Sequence, residues 1–190
     1  MRIVLLGTPG SGKGTQGTRL AARHGVPHIS SGDLLRRHVA DDTELGRQVA
    51  GYVQRGELVP DDIVLTVVGG EVAAARDAGG YVLDGFPRNV GQAEKAYAAA
   101  AQAGDTADAV VYLEVPDEVA RARMAGRAVG RADDADPAVS ERRLQVFHEE
   151  TEPLLDYYRD RGILTSVDAS RSPDEVAAAI NEALPDARQR

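Results

Sequence analysis

Short apolar runs alternate along the chain with longer segments in which apolar residues recur every three or four positions. Arg2 to Leu6 is the first such run and predicts a buried strand. Gly7 to Gly14 is a glycine-rich loop, followed by a helix to about Arg23 that Gly25 and Pro27 close. His28 to Ser30 reads as a short second strand. Ser31 or Asp33 is placed to cap a short helix over Leu34 to Val39. Asp42 or Thr43 starts the next helix, with Leu45, Val49 and Val53 on one face and Gly56 at its end. Pro60-Asp61 opens another, striped by Ile63, Val64, Val67 and Val68 and broken by Gly79-Gly80. Tyr81 to Leu83 is a third strand ending at Asp84. A helix follows from Gln92 to about Ala103, then a fourth strand from Ala109 to Val115. Pro116-Asp117 opens a helix carrying Arg121 and Arg123. Gly126 to Pro137 is a polar loop. A long helix from Ala138 to about Arg161, kinked near Pro153, leads to a fifth strand from Ile163 to Val167. Pro173-Asp174 begins the last helix, and the tail from Pro185 is expected to fray.

Strands alternating with helices predict an α/β protein: a five-stranded parallel sheet with helices on both faces. Ligands of such sheets sit beyond the carboxyl ends of the strands. Three polar segments fall there: the loop after the first strand, the turn after Asp84, and the basic stretch after the fourth strand. The 190 residues suit a single domain. Only 4% of them are aromatic, so the core must be mostly Ala, Val, Leu and Ile. A net charge of -8 weighs against nucleic acid or an anionic membrane as partner. The absence of cysteine excludes disulfides, thiolate nucleophiles and Cys-built zinc sites. No apolar stretch reaches the roughly 18 residues of a membrane span, and the opening run is too short for a signal peptide. Cytoplasmic placement is the default expectation.

The strongest chemical signal is Gly7-Thr8-Pro9-Gly10-Ser11-Gly12-Lys13, which fits GxxxxGK between a predicted strand and a predicted helix. Its glycines let successive N–H groups converge on an anion, and the helix start adds its own N–H groups and dipole. Gly10, Ser11, Gly12, Lys13, Gly14 and Thr15 are therefore expected to hold a nucleoside triphosphate, with Lys13 on the β- and γ-phosphates. The Ser or Thr that usually follows the lysine and ligates Mg2+ is replaced by Gly14, with Thr15 next. Magnesium held through water is thus the expected mode, with Asp33 and Asp84 as candidate carboxylates. Neither an Asn-Lys-x-Asp string nor metal-ligand spacing among the four histidines is present.

An acidic chain that collects arginines near its strand ends invites explanation. Two nucleotides meeting phosphate to phosphate need several cations in one cleft, and the guanidinium fork suits phosphate oxygens. The candidates are Arg36, Arg88, Arg123, Arg127, Arg131, Arg142 and Arg143. Arg88 is the best placed, because Gly85-Phe86-Pro87-Arg88 leaves a strand end in a rigid turn. His24 and His148 read as helix surface, His28 as a strand-edge residue, and His38 as lying near a cleft without a catalytic part.

These strings together resemble the adenylate kinase family along nearly the whole chain. The resembling segments are GTPGSGKGT, Ser30-Ser31-Gly32-Asp33-Leu34-Leu35-Arg36, Glu57-Leu58-Val59-Pro60-Asp61 and Asp84-Gly85-Phe86-Pro87-Arg88. The resemblance implies the P-loop nucleoside triphosphate hydrolase-like fold and transfer of the γ-phosphoryl group of ATP to AMP with Mg2+, reversibly giving two ADP, in a monomer. It places Ser31 near the AMP base, and Glu57, Leu58 and Val59 along the adenine. Arg36 and Arg88 fall on the AMP phosphate with Gly85 beside them, and Gln92 on the adenine edge. Arg123 would stack on the ATP adenine and Arg127 would reach its phosphates, while Arg131 and an arginine of the long helix bridge both phosphate groups. Counting from Arg131 points to Arg142, whereas Arg143-Leu144 and the register of Thr151 and Pro153 point to Arg143, which is taken here. Lys13, Arg88, Arg123, Arg131 and Arg143 are the implied catalytic set. Residues 31–68 would form the monophosphate-binding region. Only Ala128 to Gly130 separate Arg127 from Arg131, which implies the short-lid form, with a lid of about residues 127–137.

Overall fold

The computed structural model describes residues 1–127 and 136–184. Strands β1 (Arg2–Gly7), β2 (His28–Ser30), β3 (Tyr81–Asp84), β4 (Ala109–Glu114) and β5 (Leu164–Asp168) form one parallel sheet in the order β2-β3-β1-β4-β5. The central strand is a continuous apolar run because both of its faces are covered. Successive side chains alternate. Ile3 and Leu5 enter one core with Leu20, Met124, Leu144 and Ile180, and Val4 and Leu6 enter the other with Leu35, Val49, Val68 and Tyr158.

Nine α-helices are described: α1 (Lys13–His24), α2 (Ser31–Ala40), α3 (Glu44–Arg55), α4 (Asp61–Ala75), α5 (Val90–Ala103), α6 (Asp117–Arg127), α7 (Pro137–Val146), α8 (Leu154–Arg159) and α9 (Pro173–Ala183). Three of them, α2 to α4, fill the single connection between β2 and β3. Among the described residues no helix is long and apolar enough to cross a membrane.

The local chemistry differs from the sequence expectation in three places. The helix expected at Leu34 begins at Ser31, and its cap is Ser30, whose hydroxyl accepts from the Asp33 N–H. Neither Ser31 nor Asp33 is the cap: Ser30 alone has the extended backbone a cap requires. The helix expected at Gln92 starts at Val90, capped by Asn89, whose side chain accepts from the Gln92 N–H at 2.8 Å. The long helix expected over 138–161 is interrupted earlier than Pro153. A π-helical turn, Phe147–Thr151, follows α7, and the Glu152 N–H donates to the Phe147 carbonyl at 2.9 Å, five residues back. Pro153 has no N–H to continue an α-helical ladder, and the widened turn absorbs the break before α8 begins. It also turns Thr151 inward, where its hydroxyl donates to the Arg88 carbonyl at 2.7 Å.

Close backbone approach fixes how α2 and α3 pack. A Cβ on Gly46 would lie 1.9 Å from the His38 carbonyl oxygen, whereas a Cβ on Gly70 in α4 meets nothing within 4 Å. Overpacking typically costs about 1–3 kcal/mol, while removing a free glycine from a helix gains roughly 0.5–1 kcal/mol. Gly46→Ala is therefore expected to lower stability and Gly70→Ala to raise it, read by urea denaturation. Equal signs for the two would contradict this packing.

Candidate active site

The parallel register sets the carboxyl ends of β1 and β3 side by side, pairing Leu5 with Asp84. From β1 the chain turns through the glycine-rich loop into α1. Gly10 and Gly12 have φ of 88° and 98°, a conformation glycine adopts without strain. A Cβ on Gly10 would also come within 2.5 Å of the Ala120 carbonyl, so the loop lies directly against α6. Gly12 caps α1 and offers no side-chain acceptor to the first-turn N–H groups, which leaves them for an anion. The buried hydroxyls of Thr8 and Ser11 have no hydrogen-bond partner among the described residues. Such orphaned donors fit a loop shaped for phosphate oxygens.

This loop floors a cleft of about 490 Å³ that Gly10, Gly12, Lys13, Gly14 and Thr15 line, within the roughly 300–1,000 Å³ usual for small-molecule sites. Asp33, Arg36, Asp84, Gly85, Arg88, Arg127 and Arg143 line it from the other elements. A smaller pocket of about 50 Å³ adjoins it, lined by Ser31, Glu57, Leu58, Val59 and Gln92, with Arg36, Arg88 and Arg143 shared between the two. The sequence candidates thus converge from segments far apart in the chain.

Resting contacts hold these groups in place. The Lys13 ammonium donates to the carbonyls of Gly7 and Thr8 at 2.7 and 2.9 Å. Loss of water around it pushes its pKa down to about 7; Arg88, Arg143 and Arg127 push the same way, and Asp84 opposes them. The Arg88 Nε and the Ser31 hydroxyl both donate to the Gly85 carbonyl, at 2.8 and 2.6 Å. Arg36 pairs with Asp33 one helical turn away at 2.5 Å. The buried Gln92 amide is held on both atoms: its oxygen accepts from the Arg88 N–H at 2.8 Å, and its nitrogen donates to Asp61 at 2.8 Å. Ser31 and Gln92 therefore reach the small pocket with part of their hydrogen-bonding capacity already used.

Two neighbouring arginines of α7 diverge. Arg143 lines the cleft and passes its stem over Gly56, where a Cβ would lie 2.7 Å from its Cγ. Arg142 donates to Gln145 at 3.0 Å on the exposed side. Arg123 does not line the cleft; its guanidinium donates to the carbonyls of Ala169, Ser170 and Arg171, in the loop between β5 and α9. Glu57 forms an exposed pair with Arg55, which holds its carboxyl below the usual range. Arg131 lies outside the described residues, as does most of the expected lid.

The Asp84 carboxylate is 6% exposed and touches the cleft. Its Oδ2 contacts His28 Nε2 at 2.6 Å, and its Oδ1 accepts from the Ser30 hydroxyl at 3.3 Å. From the sequence, His28 reads only as a strand-edge residue. It does stand on the edge strand, but its ring turns into the cleft and presses on Gly17, whose Cβ would lie 2.3 Å from Nε2. Nothing in local spacing signals a contact 56 residues away. His24, read as surface, is half-buried with Nε2 shielded, and burial pushes its pKa down. His38 bonds the Thr43 hydroxyl at 3.0 Å and does not line the cleft. No cluster of three or more His, Asp or Glu gathers for a metal among the described residues. A buried, cleft-facing Asp84 nevertheless suits Mg2+ that keeps its own waters.

Comparison with known proteins agrees with this geometry. The family model for adenylate kinase matches residues 5–163. An adenylate kinase of Stenotrophomonas maltophilia is 47% identical over 186 residues, covering 97% of this chain and 99% of its own. One of Xanthomonas oryzae pv. oryzae is 48% identical with the same coverage. One of Lachnospira eligens is 39% identical over 212 residues, covering 97% of this chain and all of its own. That alignment is longer than the 190 residues here, so the relative carries additional segments. With a family model matched over most of its length and relatives of this identity covering nearly all of it, the chain belongs to the adenylate kinase family.

Proposed function

We propose that this chain transfers the γ-phosphoryl group of Mg2+·ATP to AMP, reversibly giving two ADP, as a cytoplasmic monomer. The observation that carries the reading is one cleft in which the glycine-rich loop with Lys13 faces Arg36, Arg88 and Arg143, with the Gln92 pocket adjoining. A triphosphate and a monophosphate fit such a site end to end. Residues 1–190 then form a single domain, with residues 31–68 as the monophosphate-binding region and about 127–137 as a short lid. For a monomer the support is the surface: Tyr97 is the sole large apolar side chain exposed among the described residues.

In this reading the N–H groups of residues 10–15 and Lys13 hold the β- and γ-phosphates. Arg36 and Arg88 hold the AMP phosphate. Ser31, Gln92 and the chain at Glu57, Leu58 and Val59 enclose the adenine, with Gly85 beside the phosphate. Arg143, with Arg131 from the lid, lies between donor and acceptor phosphates. Arg127 reaches the ATP phosphates, and Arg123, already fastened to the 169–171 loop, offers its plane to the ATP base. The bound magnesium would neutralise charge on the β- and γ-oxygens. Asp84, and in second place Asp33, would hold it through water. An AMP phosphate oxygen attacks in line, and no general base is needed because that oxygen is already anionic. Catalysis is then positioning and electrostatics. Phosphates exchange for the resting carbonyl partners of Lys13 and Arg88, so the cations are in place before the substrates arrive.

The test of the reading is an acceptor panel of AMP, CMP, UMP and GMP with ATP and Mg2+. AMP should be strongly preferred, and Gln92→Ala should narrow the gap mainly by harming AMP. Equal use of CMP or UMP by the unaltered protein would remove the adenine assignment.

Lys13 titrates near 7 in the nucleotide-free protein, and bound phosphates stabilise its charged form and raise that value. Binding of Mg2+·ATP should therefore take up close to ~1 proton at pH 8.5 and only ~0.1 at pH 6. Calorimetry in buffers of different ionisation enthalpy measures this. Lys13→Met should abolish the uptake and cut turnover by about 100-fold or more with the fold intact. PH-independent proton uptake would count against the assignment.

Adjacent helix residues point about 100° apart, so Arg142 and Arg143 cannot share one inward direction. Losing a desolvated phosphate contact removes roughly 2–5 kcal/mol, at least about thirtyfold in kcat/KM. Arg143→Ala should show that loss and Arg142→Ala should stay within about threefold. A loss confined to Arg142 would reverse the assignment.

A further inference from the structure

A glutamine amide can read a base edge in two opposite senses, because its oxygen and nitrogen exchange places on a half-turn of χ3. Adenine presents a donor at N6 beside an acceptor at N1. The hypoxanthine and guanine edges present an acceptor at O6 beside a donor at N1. An amide free to flip would accept either edge. Selectivity therefore requires that something else fix which atom of Gln92 faces which way.

The partners of Gln92 do so. Asp61, in the first turn of α4, takes the amide nitrogen on Oδ1 at 2.8 Å, and the Arg88 N–H donates to the amide oxygen at 2.8 Å. An ionised carboxylate only accepts and a backbone N–H only donates, so the orientation follows from the chemistry of the partners. Flipping the amide would set oxygen against carboxylate and N–H against N–H in a site where Gln92 is 1% exposed. Asp61 is itself held: the Asn89 amide donates to the same Oδ1 at 3.3 Å, and the Lys95 ammonium lies 3.7 Å from Oδ2. Asn89 meanwhile caps α5 and accepts from the Gln92 N–H. Each polar atom of the amide keeps one further hydrogen-bonding direction, an N–H and a lone pair, and Gln92 lines the small pocket beside Leu58 and Val59.

We propose that Asp61 is the positioning residue that sets base choice, by locking the Gln92 amide in the sense that complements a 6-aminopurine and opposes a 6-oxopurine. The inference rests on the proposed adenine-reading role of Gln92. It adds that the discrimination resides in a carboxylate on a different helix, 31 residues earlier in the chain.

The probe is a pair of acceptors that differ only at that edge, AMP and inosine monophosphate. Their dissociation constants and kcat/KM values are measured for the unaltered protein, Asp61→Asn, Gln92→Ala and the double variant. Asparagine keeps the shape but presents either an acceptor or a donor, so the amide loses one of its two locks. Asp61 is partly exposed, its side chain 32% accessible, and thermal melting monitors the fold. The preference for AMP over inosine monophosphate should fall about 5- to 20-fold in Asp61→Asn. In the Gln92→Ala background the same change should alter the ratio less than about twofold, since the two act as one unit. A general loosening of α4 would weaken both ligands alike and leave the ratio unmoved. If Gln92→Ala collapses the preference while Asp61→Asn leaves it intact, or if Asp61→Asn acts equally with and without Gln92, the lock is overturned and the adenine reading stands. If Gln92→Ala leaves the preference unchanged, the adenine reading of Gln92 fails and the lock falls with it.

Discussion

Cations that repel one another must share a cleft before any phosphate is there to hold them. Lys13 feels this directly: loss of water and three surrounding arginines bring its pKa to about 7, with the Asp84 carboxylate opposing them. Backbone carbonyls supply much of the answer. Those of Gly7 and Thr8 take the Lys13 ammonium, and that of Gly85 takes Arg88. A carbonyl dipole satisfies a donor without cancelling its charge, so the positive potential remains for an incoming anion. Carboxylates in those places would form ion pairs that a phosphate must break. Arg36 is held differently, in a pair with Asp33 one helical turn away.

Those carbonyls are available only because the sheet puts loop ends together. The parallel register brings Gly7 and Asp84 to the same rim, and the alternation of Ile3 and Leu5 against Val4 and Leu6 covers both faces with helices. Helices on both faces leave the carboxyl ends of the strands as the open rim where polar backbone gathers. Close approaches at glycines then tighten the geometry, at Gly10 against the Ala120 backbone, Gly17 against the His28 ring and Gly56 against the Arg143 stem. These are the sites where loop, edge strand and α7 are drawn toward the same volume.

Signals that sit within a few residues were legible in the sequence. The five strands, the glycine-rich loop and the turn at Gly85-Phe86-Pro87-Arg88 each carry their own local chemistry. The errors arise where neighbours are chemically alike or partners are remote. Ser30 and Ser31 offer the same hydroxyl, and only the backbone angle makes Ser30 the cap. Proline signals a break near 153, but not the π turn ahead of it, nor that Thr151 in that turn reaches Arg88, 63 residues away. His28 with Asp84, and Gln92 with Asp61, are likewise separated by tens of residues. A pattern read along the chain has no means of joining them. Arg142 and Arg143 differ by one step of a helix: Leu144 beside them joins the core with Met124 and Ile180, and it is Arg143 whose stem passes over Gly56.

Gly14 shows how a local departure and a remote contact belong together. Where a hydroxyl side chain would follow the lysine, this loop has none, so under the proposed function the metal must be organised from elsewhere. Asp84 stands on the adjacent strand, nearly buried, with one oxygen on His28 and the other on Ser30. A carboxylate offers about four lone-pair sites, and these contacts use two of them. The remaining capacity suits the outer waters of a magnesium ion, which holds its inner water tightly and asks for fixed acceptors at second remove. Burial alone would leave such a carboxylate costly to keep charged. The His28 ring and the Ser30 hydroxyl, both from the edge strand, offset that cost and hold the group in one direction. The edge strand is only three residues long, and two of the three are spent on this one carboxylate.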